Sequence, residues 1–172
     1  MRRRVVEADS DTRLVAAFEA SASDLLAYLT RRTNQDDAPD LLGETMVIAW
    51  RRVRDLPSDP ERARMWLFGI ARGSLQNHER GQRRRWALAD RIRGGRAEAS
   101  VAPAADEGSE VRDAIARLEP ELAELVRLVH WERLSLVDAA ELLGIPASTA
   151  RGRYQRARDQ LRAALSVEAP LA

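Results

Sequence analysis

The stretch Ser135-Leu136-Val137-Asp138-Ala139-Ala140-Glu141-Leu142-Leu143-Gly144-Ile145-Pro146, with the basic run from Ala147 to Leu165 behind it, decides the fold of the second half of this 172-residue chain. Ser135 with Asp138 three residues on is a capping box, in which the serine oxygen accepts from a backbone N–H that a helix start leaves unpaired. Ala139 to Leu143 continue a short helix. Gly144 supplies the left-handed backbone that stops it, and Ile145-Pro146 leads into the next. Short helix, glycine turn, longer basic helix is the order of a helix-turn-helix.

The longer helix has two unlike sides. At roughly 100° per residue, Ala150, Tyr154, Ala157 and Leu161 gather as a core-facing stripe. Opposite them lie Ser148, Thr149, Gly152, Gln155 and Arg156, flanked by Arg151, Arg153, Arg158 and Arg162. Small and amide side chains at the centre let a helix approach base edges in a major groove, and arginines at the rim meet phosphates on either strand. A merely solvated amphipathic helix is the plain alternative. Against it, arginines outnumber acids five to one between Ser148 and Ala164, where a solvated face mixes signs. Gly152 also costs a helix interior about 1 kcal/mol relative to Ala, which makes sense where backbone must approach something closely.

Upstream, Val111, Ile115 and Leu118 make one apolar stripe, and Leu122, Leu125, Val126 and Val129 make another after Pro120. These complete a small helical module over residues 111–166. Before it, the 17 residues from Gly94 to Glu110 have almost nothing to bury and read as a flexible linker, able to span at most about 60 Å.

The first block, residues 8–93, reads as three long helices. Leu14, Phe18, Leu25 and Leu29 repeat at helical spacing between Asp11 and Arg32. A second helix starts at Asp37, with Pro39 in the first turn and Asp40 as a variant capping box, and runs through Leu41, Leu42, Thr45, Ile48, Ala49 and Val53. Leu56-Pro57-Ser58-Asp59-Pro60 breaks it, and a third helix carries Trp66, Leu67, Ile70, Ala71 and Leu75 into a basic run. No stretch alternates as a strand does. The fold class is therefore all-α, two small helical domains on a flexible linker.

Composition narrows the chemistry. The 28 basic residues are all arginine, against 27 acidic ones. Guanidinium forks suit phosphates and guanine edges better than ammonium groups, although GC-rich coding produces the same bias, so position matters more than number. Residues 1–95 hold 18 arginines against 14 acids, and residues 111–172 hold nine of each. Between Arg72 and Arg93 there are seven arginines against Glu79 and Asp90, and the same helix offers Asn77, His78 and Gln82. Eight phosphate contacts shared by the two blocks would give log K a slope of about −7 against log salt. Of the tryptophans, Trp50 and Trp66 lie near apolar stripes and read as packing, whereas Trp86 behind the arginine triplet either stacks on a base or covers the helix end.

With no cysteine there is no disulfide, thiol nucleophile or cysteine metal site. The longest run free of charge, Leu142 to Ala150, has nine residues, roughly half of a membrane span. Met1-Arg2-Arg3-Arg4 is not followed by an apolar signal segment, so the expectation is a soluble cytoplasmic chain with no membrane insertion. The acidic cluster Asp36-Asp37-Asp40-Glu44 resembles a carboxylate site, but its simpler role is charge at a helix N-terminus. No catalytic residue, metal or cofactor is expected.

The chain resembles the extracytoplasmic-function (ECF) sigma factors of bacterial RNA polymerase. Asp37-Ala38-Pro39-Asp40-Leu41-Leu42-Gly43-Glu44-Thr45 with Ala49-Trp50 is similar to their region 2.2. Ala63 to Arg72, running on to Asn77, Arg80 and Arg83-Arg84-Arg85, is similar to regions 2.3 and 2.4. Leu118-Glu119-Pro120 through Pro146, then Thr149, Arg153 and Arg156-Ala157-Arg158, is similar to region 4. The resemblance implies that Asp40, Glu44 and Thr45 dock on the polymerase. It implies that Arg72, Asn77, Arg80, Arg83, Arg84 and Arg85, with the Leu56–Pro60 loop, engage the −10 element. It also implies that Ser148, Thr149, Arg151, Arg153, Gln155, Arg156 and Arg158 read the −35 element. The partners implied are the polymerase core (clamp helices and flap), promoter DNA and an anti-sigma factor. The sequence departs from the family at Pro39 and Gly43, where Glu and Gln are usual, at Gly73, where Asn is common, and at Ala150, Gly152 and Tyr154, where Val, Ser and Leu are usual. Other readings are a dimeric helix-turn-helix regulator, a helical metalloenzyme built on Asp37, Asp40 and Glu44, and a sigma-derived adaptor no longer competent for initiation.

Overall fold

A computed structural model of the chain describes residues 2–93 and 109–167. They form seven α-helices and one 3-10 turn, with no strand among the described residues. The linker expected over 94–110 lies outside them except for Ser109 and Glu110, which open a helix. The chain divides into two compact units, one up to Glu98 and one from Ala99.

The first unit holds α1 (Arg2–Thr30), α2 (Asp37–Arg51), a 3-10 turn (Val53–Asp55) and α3 (Pro60–Arg93). All three helices pack on one another. Leu14, Leu25, Leu29, Leu41, Leu67 and Phe68 are buried between them, each such side chain adding about 1.5–3 kcal/mol of transfer free energy. Tyr28 of α1 meets Phe68 of α3 edge to face, ring centroids 5.5 Å apart. Arg64 lies over the Phe68 ring and pairs with Asp24 at 3.0 Å, fastening α3 to α1 at the rim of this core.

Two helix starts in this unit depart from the sequence expectation: α1 begins at Arg2, ahead of the Asp11 at which its apolar repeat opens, and α2 is capped differently. α3 begins as expected, Asp59 Oδ1 accepting from the Arg62 N–H at 2.9 Å. At α2, however, Asp37 does not cap its own helix. The Asp37 N–H donates to Asn34 Oδ1 at 2.7 Å, so Asn34 satisfies the free backbone donor and the Asp37 carboxylate is released for another use.

The second unit holds α4 (Ser109–Ala116), α5 (Pro120–His130), α6 (Leu136–Leu143) and α7 (Ala147–Val167). α7 packs on the other three. Ile115, Leu118, Leu122, Ala123, Val126 and Ala157 form the core, with Leu161 against it. The α6 start is as expected: the Asp138 N–H donates to Ser135 Oγ at 3.1 Å, and the Ser135 hydroxyl donates to the Asp138 carboxylate. Gly144 sits at φ 68°, ψ 33°, in the left-handed region that turns the chain from α6 to α7. No helix among the described residues is long and apolar enough to cross a membrane.

Candidate nucleic-acid interface

α7 presents the face that its periodicity demands. Ala150 and Ala157 are fully buried, and Tyr154 and Leu161 are partly buried beside them. The Tyr154 hydroxyl lies 2.8 Å from His130 Nε2, and the two rings stack with centroids 6.0 Å apart, tying α7 to the end of α5. Ser148, Thr149, Arg151, Gly152, Gln155, Arg156 and Arg158 are exposed. Arg151, Arg156 and Arg158 have no hydrogen-bond or ion-pair partner among the described residues, so their guanidinium groups are available to an anionic ligand.

Arg153 is placed differently. Its side chain is only 25% exposed and pairs with the Glu121 carboxylate in the first turn of α5. Its position on α7 falls between the buried stripe and the outer face, so the long side chain turns back onto α5 and stands apart from the exposed arginines. Gln155 is exposed but engaged: its amide donates to both Asp159 oxygens, at 3.1 and 3.4 Å.

In α3, burial ends where charge begins. Among the α3 residues whose burial is described, Ser74 and Leu75 are the last buried, and from Gln76 to Ala87 most positions are exposed. Asn77, Arg80, Arg83 and Arg84 line one concavity; Arg72, which is partly buried, and Arg85 do not. Asn77 Oδ1 accepts from Arg80, and Arg83 lies 3.7 Å from the Glu79 carboxylate. Trp86 is 60% exposed, so it is not part of the core of the first unit.

On α2 the expected docking residues separate. Asp40 and Glu44 are exposed. Thr45 is 0% exposed, its hydroxyl donating to the Leu41 carbonyl at 2.7 Å, which corrects its assignment to an outward face. It belongs to the inner stripe of Ala38, Leu41 and Ala49. The residues that accompany Asp40 and Glu44 outward are Gly43, Val47 and Trp50, the last two 49% and 45% exposed. Helical spacing from Asp40 could have found both; Trp50 reads as packing only when its apolar character is weighed without its register. Asp37 points the other way: one carboxylate oxygen takes Asn34, His78 and Gln82. Among the described residues no three His, Asp or Glu side chains group as a metal site.

Two family models match this architecture, Sigma-70 region 2 over residues 17–85 and Sigma-70 region 4 over residues 109–161. Together they define a sigma-type transcription initiation factor. The chain is 32% identical over 155 residues to the ECF RNA polymerase sigma factor SigC of Mycobacterium tuberculosis, covering 86% of this chain and 80% of that protein. It is 27% identical over 154 residues to SigL of the same species, covering 87% of each. Among solved structures, the sigma factor RpoE of Bartonella quintana, crystallised with the anti-sigma factor NepR, superposes with a TM-score of 0.66 at 25% identity, over 94% of this chain and 99% of that one. The chain belongs to the ECF sigma factors of bacterial RNA polymerase, and its function is promoter-directed transcription initiation.

Proposed function

We propose that the chain divides promoter recognition between residues 8–93, which bind core polymerase and the −10 element, and residues 111–166, which bind the −35 element, with 94–110 as the connecting segment. It contributes no catalytic group; the polymerase makes the bonds. It works in the cytoplasm, where its partners are.

The outer face of α7 is the observation behind this proposal. Arg151, Arg156 and Arg158, without partners among the described residues, frame Ser148, Thr149 and Gly152, a face small enough at the centre for a major groove and basic enough at the edge for phosphates. Arg80, Arg83 and Arg84 supply the second basic surface, at the −10 element, with Asn77 as the hydrogen-bonding group among them; Arg72 and Arg85, outside that concavity, belong to the same basic helix. Asp40 and Glu44, with Val47 and Trp50, supply a mixed acidic and apolar face for the clamp helices of the polymerase. The anti-sigma partner of the Bartonella relative supports a similar regulator here.

Selection of duplex DNA from a random library by the assembled holoenzyme tests the division. Two unlike hexamers at one fixed spacing are expected. A palindrome with half-sites about one helical turn apart would instead make the chain a symmetric dimeric regulator.

A further inference from the structure

We propose that Asp159 is a specificity-determining residue of α7, fixing the Gln155 amide for base reading while its charge holds down binding that ignores sequence. This rests on the reading of α7 as the −35 reader.

Asp159 is the one acidic residue between Ser148 and Ala164. It lies one turn beyond Gln155, and at roughly 100° per residue it falls on the same outward side as Ser148 and Gly152. Its side chain is 54% exposed, so folding does not require it. A lone acid near the middle of a phosphate-facing surface is electrostatically adverse to binding any DNA, which calls for another use.

Its contacts supply one. Gln155 Nε2 donates to Oδ1 and Oδ2, and the Arg162 guanidinium donates to Oδ1 at 3.1 Å. A carboxylate only accepts, so the amide is held with its nitrogen toward Asp159 and its carbonyl oxygen turned away. Gln155 then keeps one N–H and its carbonyl for a base edge, the donor and acceptor pair that a bidentate contact to adenine uses. The rotamer is fixed before DNA arrives, so binding need not order it. Arg162 is meanwhile drawn toward Asp159 and away from phosphates. The first effect raises affinity for the cognate sequence and the second lowers the phosphate contribution common to all sequences, so a larger share of binding depends on the base read.

The test uses holoenzyme assembled from the full chain, with duplex promoters randomised across the −35 element, at several salt concentrations. Asp159→Ala should bind the average sequence several-fold more tightly and steepen the slope of log K against log salt by about one, as Arg162 gains a phosphate. It should also flatten the preference at one base pair, the same one that Gln155→Ala flattens. Asp159→Asn should share the gain in average affinity yet keep that preference, because the amide oxygen still accepts from Gln155. Unchanged slope and preference in Asp159→Ala overturns the inference, as does flattening at a base pair that Gln155→Ala leaves alone. Wild-type holoenzyme without any −35 preference would overturn the −35 reading itself, and the inference with it, before a variant is compared.

Discussion

His78 Nε2 of α3 lies 3.1 Å from Asp37 Oδ2 at the start of α2, and Gln82 Nε2 lies 3.2 Å from the same oxygen. Asn34 Nδ2 donates to it as well, at 2.8 Å. One carboxylate therefore fastens the helix that bears Asp40 and Glu44 to the helix that bears Asn77 and Arg80. The cluster of acids at the head of α2 divides accordingly: Asp37 holds the unit together while Asp40 and Glu44 stay exposed.

Asp37→Ala removes these contacts and a negative charge from a helix N-terminus. Hydrogen bonds to an ionised group contribute about 1.5–3 kcal/mol, and the partial exposure of this pair reduces that, so the loss should be about 1–2 kcal/mol. Urea unfolding of the full chain measures it. A loss below about 0.5 kcal/mol would mean that water replaces the carboxylate without penalty.

Among the described residues of the second unit, Gly144 at 68° and Arg133 at 55° have positive φ. Left-handed backbone costs a residue with a Cβ about 1–2 kcal/mol, and glycine avoids most of it. Arg133→Gly should therefore raise stability by about 0.5–1 kcal/mol, whereas Gly144→Ala, with no atom within 4 Å of the added carbon, should lower it by about 1 kcal/mol through backbone strain alone. Thermal unfolding that moves in the same direction for both would contradict this account of the turns.

Asp40→Arg places the wrong charge on the exposed face of α2 and should abolish holoenzyme assembly with no change in helical content. Thr45→Val should leave polymerase affinity unaltered, because Thr45 is buried. Assembly that survives Asp40→Arg, measured by size-exclusion chromatography with core polymerase, would remove α2 from the docking surface.

Arg156→Ala should cost about 1–3 kcal/mol at one base pair of the −35 element, as loss of a bidentate guanine contact does. Arg84→Ala should weaken binding on all sequences about equally and reduce the salt slope by about one. An equal loss on every sequence for Arg156 would make it a phosphate contact too, and an unchanged slope for Arg84 would take it out of the interface.

The helix-turn-helix was legible because its signals are local: Ser135, Asp138 and Gly144 act on backbone within three or four residues of themselves. The basic face of α7 followed from periodicity. What escaped the sequence depends on partners far along the chain or on register. Arg153 looks like its neighbours until Glu121 of α5 is placed beside it. Asp37 looks like a cap until Asn34 takes that duty and His78 arrives from α3. Thr45 sits inside a recognisable string, but the string runs around a helix, and Thr45 falls in line with Leu41 and Ala49 on the buried side. The same register turns Val47 and Trp50 outward.

Run-off transcription by core polymerase, with and without this chain, on promoters of its own genome tests the central claim most directly. Specific transcripts that start only when the chain is present, and that disappear with Asp40→Arg, are the expected result. Transcription identical with and without the chain would contradict the account.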